Sequence, residues 1–150
     1  MKSNIILERS LDFSVEIIDL YREMSEKQRE YVLSKQILRS ATSIGVNMHK
    51  ASRAYNNRDF LHKCVISFKE AGETQYWLDL IYRGKYINEA KYNELTEMCK
   101  HIIRILNSII ISTRRSLKNK NGNIKKEDYL LSELSEDIIG ADEIGIVLED

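Results

Sequence analysis

Apolar residues recur at helical spacing along most of the chain. From about Ser10 to Met24, steps of four, three and four positions connect Phe13, Ile17, Leu20 and Met24. This spacing places apolar side chains on one face of an α-helix, whereas a half-buried β-strand would alternate apolar and polar positions. The first segment is therefore predicted to be an amphipathic helix.

The second segment, from about Arg29 to Tyr55, has the same pattern over a longer stretch. Steps of four and three alternate through Ile37, Ala41, Ile44, Met48, Ala51 and Tyr55. Such a stripe is typical of a helix that packs in a bundle. Ser25, followed three positions later by Gln28, predicts a weak capping box ahead of this helix.

The third segment, about residues 58–83, repeats the alternation of threes and fours. Its stripe consists of Leu61, Cys64, Phe68, Ala71, Gln75, Leu78 and Tyr82. Asn56, Asn57 and Asp59 mark a break at its start and have the side chains that favour a helix N-terminus. Gly84 follows it and is predicted to take the left-handed conformation that ends many helices.

A fourth helix is predicted from Asn88, a suitable N-cap, to about Leu117. Its apolar set is broader than one stripe and comprises Leu95, Met98, Cys99, Ile102, Ile103, Ile105, Leu106, Ile109, Ile110 and Ile111. Ile105 and Ile109 extend the stripe sideways, so this surface either faces another subunit or is covered by neighbouring helices of the same chain.

Four helices joined by short links predict an all-α, antiparallel up-down-up-down four-helix bundle over residues 1–120. The composition agrees, because the 150 residues include no proline and only six glycines. A β-sandwich or a barrel would need many more turn residues. With 43% hydrophobic residues, the chain has enough apolar side chains for the core of one domain.

The formal net charge of zero conceals an asymmetry along the chain. Residues 1–120 contain 21 Lys and Arg against 14 Asp and Glu, whereas residues 121–150 contain 2 against 9. An acidic C-terminal tail thus follows a basic body, and it either only solubilises the protein or covers a basic surface of the bundle or of a partner. The tail also has apolar residues, so partial disorder and a docked peptide both remain open.

Patterns typical of catalytic or metal sites are missing from the sequence. His49, His62 and His101 are not spaced as ligands on one helix face, and neither Cys64 nor Cys99 has a histidine at ligand spacing. The sequence contains no P-loop, no GxGxxG loop and no GxSxG nucleophile motif. We therefore expect neither enzymatic activity nor a cofactor or metal.

Nothing in the sequence predicts a membrane-spanning segment or a secretion signal. The longest apolar stretch, residues 102–111, is interrupted by Arg104 and Asn107, and it is far shorter than the roughly 20 residues needed to span a bilayer. The apolar run near the N-terminus has only three residues, too few for a signal peptide. A cytoplasmic location with reduced cysteines is expected.

The main functional lead is a basic face on the second segment. At about 100° per residue, Lys35, Arg39, Lys50 and Arg53 lie roughly opposite the apolar stripe. Residues 31–58 contain no Asp or Glu to offset them. A charged helix face is usually only solvated, but Lys and Arg on one face can also neutralise phosphates. These four residues are the predicted nucleic-acid-binding site.

Three stretches carry a resemblance to a known family: YVLSKQILRSATSIGVN (31–47), KASRAYNNRDF (50–60) and ISFKEAGETQYWLDLI (66–81). Their combined pattern of SIG-x-N, Asp-Phe and KEA-x-E-T-x-YWL resembles a bacterial four-helix-bundle family named for proteins encoded in intervening sequences of 23S ribosomal RNA genes, also called the S23 ribosomal protein family. The resemblance covers about residues 8–118.

The resemblance implies a homo-oligomer, since characterised relatives form a ring-shaped homopentamer. One similar branch is the accessory variability determinant of diversity-generating retroelements, a basic pentamer that associates with a reverse transcriptase and with nucleic acid. Most of the family has no established activity. Its members usually have an acidic residue near position 50, so Lys50 makes this face more basic than the resemblance implies. The tail after residue 120 lies outside the resemblance.

Physical roles are predicted for several residues in these motifs. Asn47 is expected to bond to a neighbouring helix, and Gly45 to permit close approach of another helix. Lys69, Glu70 and Glu73 are expected to form an ion-pair ladder along the third helix.

Two functions remain open from the sequence. The first is a non-enzymatic oligomeric accessory protein that presents its basic surface to RNA or RNA–DNA, alongside a reverse transcriptase or a ribonucleoprotein. The second is a protein–protein scaffold without direct nucleic-acid binding, whose basic face contacts an acidic protein surface and whose tail helps to select the partner.

Overall fold

Helices account for most of the described chain. The computed structural model describes the backbone of residues 2–121 and the side chains of residues 5–120. The predicted acidic tail, 121–150, lies outside these residues apart from the backbone of its first residue. The helices are α1 at Lys2–Arg22, α2 at Leu33–Ala51, α3 at Asn57–Arg83 and α4 at Glu89–Asn121, and a π-helical turn at Glu23–Lys27 follows α1.

Each helix packs against the helices next to it in sequence, and α1 also packs against α4. Because the links are short, consecutive helices run antiparallel. The predicted all-α up-down bundle is therefore confirmed. Antiparallel order also places the C-terminus of α4 at the same end of the bundle as the α2–α3 link.

The α2 stripe forms the centre of the core. Ile37, Ala41 and Ile44 are fully buried, and Met48 is 2% exposed. Truncating a buried isoleucine such as Ile44 to alanine typically costs about 2–5 kcal/mol. The prediction was wrong at Tyr55, which is 99% exposed, because α2 ends four residues before it and the chain turns toward α3.

The first helix begins earlier and continues further than the sequence predicted. It starts at Lys2 rather than near Ser10, and Ile6 is fully buried, which anchors the added turns in the core. The π-helical turn then extends the helical path and keeps Met24 fully buried. Ser25 belongs to that turn.

The predicted capping box at Ser25 was wrong. The Ser25 hydroxyl donates to the carbonyl oxygen of Tyr21 at 2.6 Å and therefore does not cap α2. Glu30 does so instead, because its carboxylate accepts hydrogen bonds from the backbone N–H groups of Val32 (3.0 Å), Leu33 (2.8 Å) and Ser34 (2.8 Å). The first N–H groups of a helix have no intrahelical partner, so these bonds stabilise the start of α2.

The N-caps of α3 and α4 are the asparagines that the sequence predicts. The side chain of Asn56 accepts from the backbone N–H of Asp59 at 2.8 Å, and Asn88 caps α4 in the same way through Lys91. The left-handed residue after α3 is not Gly84 but Lys85, with φ of 66°. At Gly84 the missing side chain avoids a tight contact, since a Cβ there would lie 3.1 Å from the carbonyl oxygen of Leu80.

The broad apolar surface of α4 is covered largely within the chain. Ile109 is only 6% exposed, and Ile105 packs half-buried against the core. The same-chain alternative is therefore confirmed for Ile109, while Ile111 is 36% exposed and lies at the edge of the packed region.

Candidate nucleic-acid interface

Three of the four predicted binding residues are free cations on the outer surface of the bundle. Lys35, Lys50 and Arg53 are exposed, and none of them forms an ion pair with another described residue. They lie on the side of the α2 segment that faces away from the buried stripe. Val46 lies among them and is 52% exposed. We call the surface formed by the three free cations, Lys35, Lys50 and Arg53, together with Val46 the α2 basic face.

The structure brings two of the cations together and leaves the third apart. Arg53 lies in the turn after α2, where its backbone N–H donates to the carbonyl oxygen of Lys50 at 3.1 Å. Lys35 lies in the first turns of α2, fifteen residues before Lys50, which is about 22 Å along a helix at 1.5 Å per residue. The α2 basic face therefore has two neighbouring cations, Lys50 and Arg53, where α2 ends, and one isolated cation, Lys35, where α2 begins. We call the end with Lys50 and Arg53 its strong end.

The C-terminus of α2 stabilises the positive charge of Lys50 at this strong end. The carbonyl groups that end a helix carry partial negative charge and favour a cation in the last turn. Lys50 occupies the last turn of α2. The aromatic ring of Tyr55, which is almost fully exposed, follows in the same link and is free to stack on a base or another planar group.

Arg39, the fourth predicted residue, is engaged by acidic residues of α3. Its guanidinium donates to Glu73 and, at 3.4 Å, to Glu70. The hydrogen bond to Glu73 is the main cause that raises the pKa of Arg39 above its ordinary value. No acidic residue is near Arg39 in sequence, but the bundle places two beside it. Arg39 therefore offers much less net charge to a phosphate than Lys35, Lys50 or Arg53 does.

Electrostatics differ between the two carboxylates. Burial raises the pKa of Glu70, and Arg39 only partly offsets this effect. At Glu73 burial also acts to raise the pKa, but hydrogen bonds from Arg39 and from the Trp77 indole (3.2 Å) outweigh it and lower the pKa overall. Glu73 thus accepts hydrogen bonds from both Arg39 and Trp77, and it is the carboxylate that holds Arg39 most strongly. The predicted ladder through Lys69 is replaced by these contacts between helices.

The SIG-x-N motif acts mainly through close packing. A Cβ added to Gly45 would lie 3.3 Å from the Cβ of Ser10, so the absence of a side chain lets α1 approach α2, as predicted. The prediction for Asn47 was wrong, because its amide donates to the carbonyl oxygen of Ser43 within α2 at 2.8 Å. At this motif the hydrogen bond between α2 and α3 comes instead from Ser67, whose buried hydroxyl donates to the carbonyl oxygen of Ile44 at 2.9 Å.

A second group of cations lies across the α1–α4 contact and was missed from the sequence. The pKa of His101 is lowered by burial and then by the positive charges of Arg9 and Arg104. His101 and Arg104 are three residues apart on α4, a spacing visible in the sequence, but Arg9 comes from α1. Only the packing of the helices shows that the three groups are near one another.

The described residues contain no group of three His, Cys, Asp or Glu side chains arranged to hold a metal ion. Cys64 and Cys99 are buried, and burial raises the pKa of each thiol to about 12. A thiol is nucleophilic only as the thiolate, so both cysteines are inert near neutral pH. Within residues 2–121, none of the helices is long and apolar enough to cross a membrane.

Comparison with known proteins places the chain in a family. Residues 2–108 match the sequence profile of the 23S rRNA-intervening sequence protein family. The chain belongs to this family. The matched residues include all of α1, α2 and α3 and most of the buried part of α4, so the family's shared feature is the bundle itself.

A solved structure supports the same assignment. The chain is similar to a protein of unknown function from the S23 ribosomal protein family of Bacteroides thetaiotaomicron, with 44% sequence identity and a TM-score of 0.72. The alignment covers 73% of this chain and 98% of the other. No match was found among curated proteins.

Proposed function

We propose that this protein is a non-enzymatic accessory protein that binds nucleic acid, RNA or RNA–DNA, through the α2 basic face. The observation that supports this proposal is the combination of Lys35, Lys50 and Arg53 on one exposed surface without an acidic partner among the described residues. Such cations release counterions from the phosphate backbone and bind without reading sequence.

Oligomerisation belongs to the same proposal. A single chain offers few cations, but copies in a ring present the α2 basic face repeatedly, and linked weak contacts gain affinity through effective concentration. Apolar residues on the outside of α1 support an interface between copies, since Leu11 is 68% and Val15 51% exposed. The proposal also includes a homopentamer, as in relatives that the sequence resembles. It further includes association with a reverse transcriptase or a ribonucleoprotein.

Fluorescence anisotropy with a labelled, structured RNA tests the binding at several salt concentrations. For a single-stranded segment, each phosphate contact contributes a slope of about −0.7 in the logarithm of the binding constant against the logarithm of salt. Replacing one contacting cation, as in Lys50→Gln, should then weaken binding about fivefold near 0.1 M salt. Lys69→Gln is the matched control, because Lys69 is an exposed lysine on α3 outside the α2 basic face.

Nucleic-acid binding is refuted if the protein shows no salt-sensitive affinity for RNA at low ionic strength. It is also refuted at this surface if Lys50→Gln and Lys69→Gln weaken binding equally. Light scattering of the full chain tests oligomerisation, and Leu11→Glu should shift the measured mass toward the 17.6 kDa of one chain.

A protein–protein scaffold is the second candidate, and exposed apolar side chains on α3 favour it. Tyr76 is 60% exposed and contacts Trp77 edge to face, with ring centroids 5.3 Å apart. Leu80, one turn further, is 37% exposed. Aromatic side chains of this kind often anchor protein interfaces. Loss of a co-purifying protein on Tyr76→Glu, with RNA binding unchanged, would favour the scaffold.

A further inference from the structure

We propose that the acidic tail, residues 122–150, docks on the α2 basic face of the bundle and competes there with nucleic acid. The competition rests on the proposed function, whereas the docking does not. The tail contains 9 Asp and Glu against 2 Lys and Arg, so it has the opposite charge to the face.

Topology places the start of the tail near the strong end of the face. The helices alternate in direction, so α4 ends where α2 ends and α3 begins. Lys50 lies in the last turn of α2 and Arg53 in the link to α3. The tail therefore leaves the bundle at the end where these two free cations lie, and not at the end where Lys35 lies.

Chain length does not limit the contact. Twenty-nine residues follow Asn121, and an extended chain covers about 3.3 Å per residue, or roughly 95 Å in total. From Lys35 to Arg53 the α2 segment measures about 27 Å at 1.5 Å per residue. Even a partly helical tail is long enough to pass around the end of the bundle and follow the face.

The face matches the tail in apolar character as well as in charge. Val46 lies among the cations and is half exposed, and no described side chain covers it fully. The tail sequence EDYLLSELSEDII (127–139) alternates acidic residues with leucine, tyrosine and isoleucine. A phosphate backbone would leave Val46 uncovered, whereas this peptide can pair with the cations and bury the valine together.

Disulfide trapping in the full chain tests the docking without nucleic acid. Ser135 lies among the acidic residues of the tail, and a Ser135→Cys, Val46→Cys chain should form an intramolecular disulfide on mild oxidation with copper phenanthroline. The native thiols do not interfere, because both are buried and protonated. The matched control pairs Ser135→Cys with Tyr76→Cys, which has similar exposure on α3.

Trapping at least fivefold faster for the Val46 pair than for the Tyr76 pair supports docking. Equal rates overturn it, because they describe a tail without a preferred surface. Variants that carry Ser135→Cys alone and Val46→Cys alone can also be mixed. If the disulfide forms only between chains, docking within the chain is overturned and the face is assigned to a second copy.

Neutralising the tail tests the competition. The full chain with Glu133→Gln, Glu136→Gln and Asp137→Asn should bind a fluorescein-labelled single-stranded RNA about tenfold more tightly if the tail occupies the face about 90% of the time. The matched control neutralises Glu8, Asp12 and Glu97, three exposed helical residues, and changes the net charge equally.

Equal tightening in both triple variants overturns the competition, since net charge alone then explains the gain. If none of these chains binds RNA, the competition fails together with the proposed function. The trapping result still decides whether the tail docks, so the two failures are distinguishable.

Discussion

Glu30 fixes the start of the helix that carries the α2 basic face, and Glu30→Gln should destabilise the bundle. The carboxylate accepts three backbone N–H bonds of 2.8–3.0 Å at the beginning of α2. It also places a negative charge at the positive end of the helix dipole. Glutamine retains one acceptor oxygen but loses the charge and the second acceptor. Loss of an N-cap typically costs about 0.5–2 kcal/mol, so we expect about 1 kcal/mol at pH 7.

The pKa of Glu30 predicts how this loss depends on pH. Burial acts to raise the pKa, but the backbone hydrogen bonds from Leu33, Ser34 and Val32 outweigh burial and lower it overall. A carboxyl group whose pKa is lowered in the folded state stabilises the fold above its unfolded pKa of about 4.3. That contribution disappears as the pH falls through the lower, folded-state pKa. The difference between Glu30 and the glutamine variant should therefore shrink in acid.

Urea unfolding followed by circular dichroism measures this difference at a series of pH values. With a slope of about 1–3 kcal/mol per molar urea, a loss of 1 kcal/mol lowers the midpoint by about 0.3–1 M. Glu26→Gln is the control. Glu26 is exposed and lies in the π-helical turn at Glu23–Lys27, which ends before the link to α2. Equal stability of the Glu30 variant and the original at pH 7 would refute the capping role, and so would a difference that stays constant into acid.

Two further predictions concern helix packing and thiol chemistry. Gly72→Ala should stabilise the bundle by up to about 1 kcal/mol, because alanine favours the helix and its Cβ meets no atom within 4 Å. Gly45→Ala gains the same propensity but crowds α1, so its unfolding midpoint should be lower than that of the Gly72 variant; the reverse order would contradict the close approach. Cys64 and Cys99 should resist maleimide at pH 7 until urea unfolds the chain, and rapid labelling of the native protein would contradict their burial.

Helix faces were predictable from the sequence because burial imposes a period. The α2 stripe from Ile37 to Ala51 is buried as expected, since an amphipathic helix can bury only one side against its neighbours. Boundaries were less predictable. Tyr55 continues the period of the stripe but follows the end of the helix, because periodicity describes spacing and not where the hydrogen-bond ladder stops.

The caps show a second limit of local reasoning. Serine and asparagine are the usual N-cap residues, and Asn56 and Asn88 were predicted correctly. Glu30 reaches the N–H groups of α2 only because the preceding link bends sharply, with Arg29 at φ of 54°. A left-handed arginine has no clear sequence signal, so neither the bend nor the cap that depends on it was predictable.

Surface charge is the property that the sequence of one helix describes least well. Residues 31–58 contain no acidic side chain, so the sequence predicts that Arg39 is as free of ion pairs as Lys50. The bundle places two α3 carboxylates beside Arg39, and these residues belong to the KEA-x-E motif of this sequence. Because the Arg39 side chain is half-exposed, the pairs themselves add little stability.

The position of the ion pairs changes which part of α2 is available to a partner. Glu70 and Glu73 offset the middle of the helix, so the free positive charge is displaced toward Lys50 and Arg53 at the end where α4 also finishes. The resemblance implies an acidic residue near position 50, where this chain has Lys50, and the acidic tail lies beyond residues 2–108, which match the family. A cation at the end of α2 and an acidic segment that follows α4 at the same end have complementary charge. We therefore expect that Lys50→Glu, which reverses the charge there, would slow the disulfide trapping of Ser135→Cys with Val46→Cys, whereas Lys69→Glu would leave the rate unchanged.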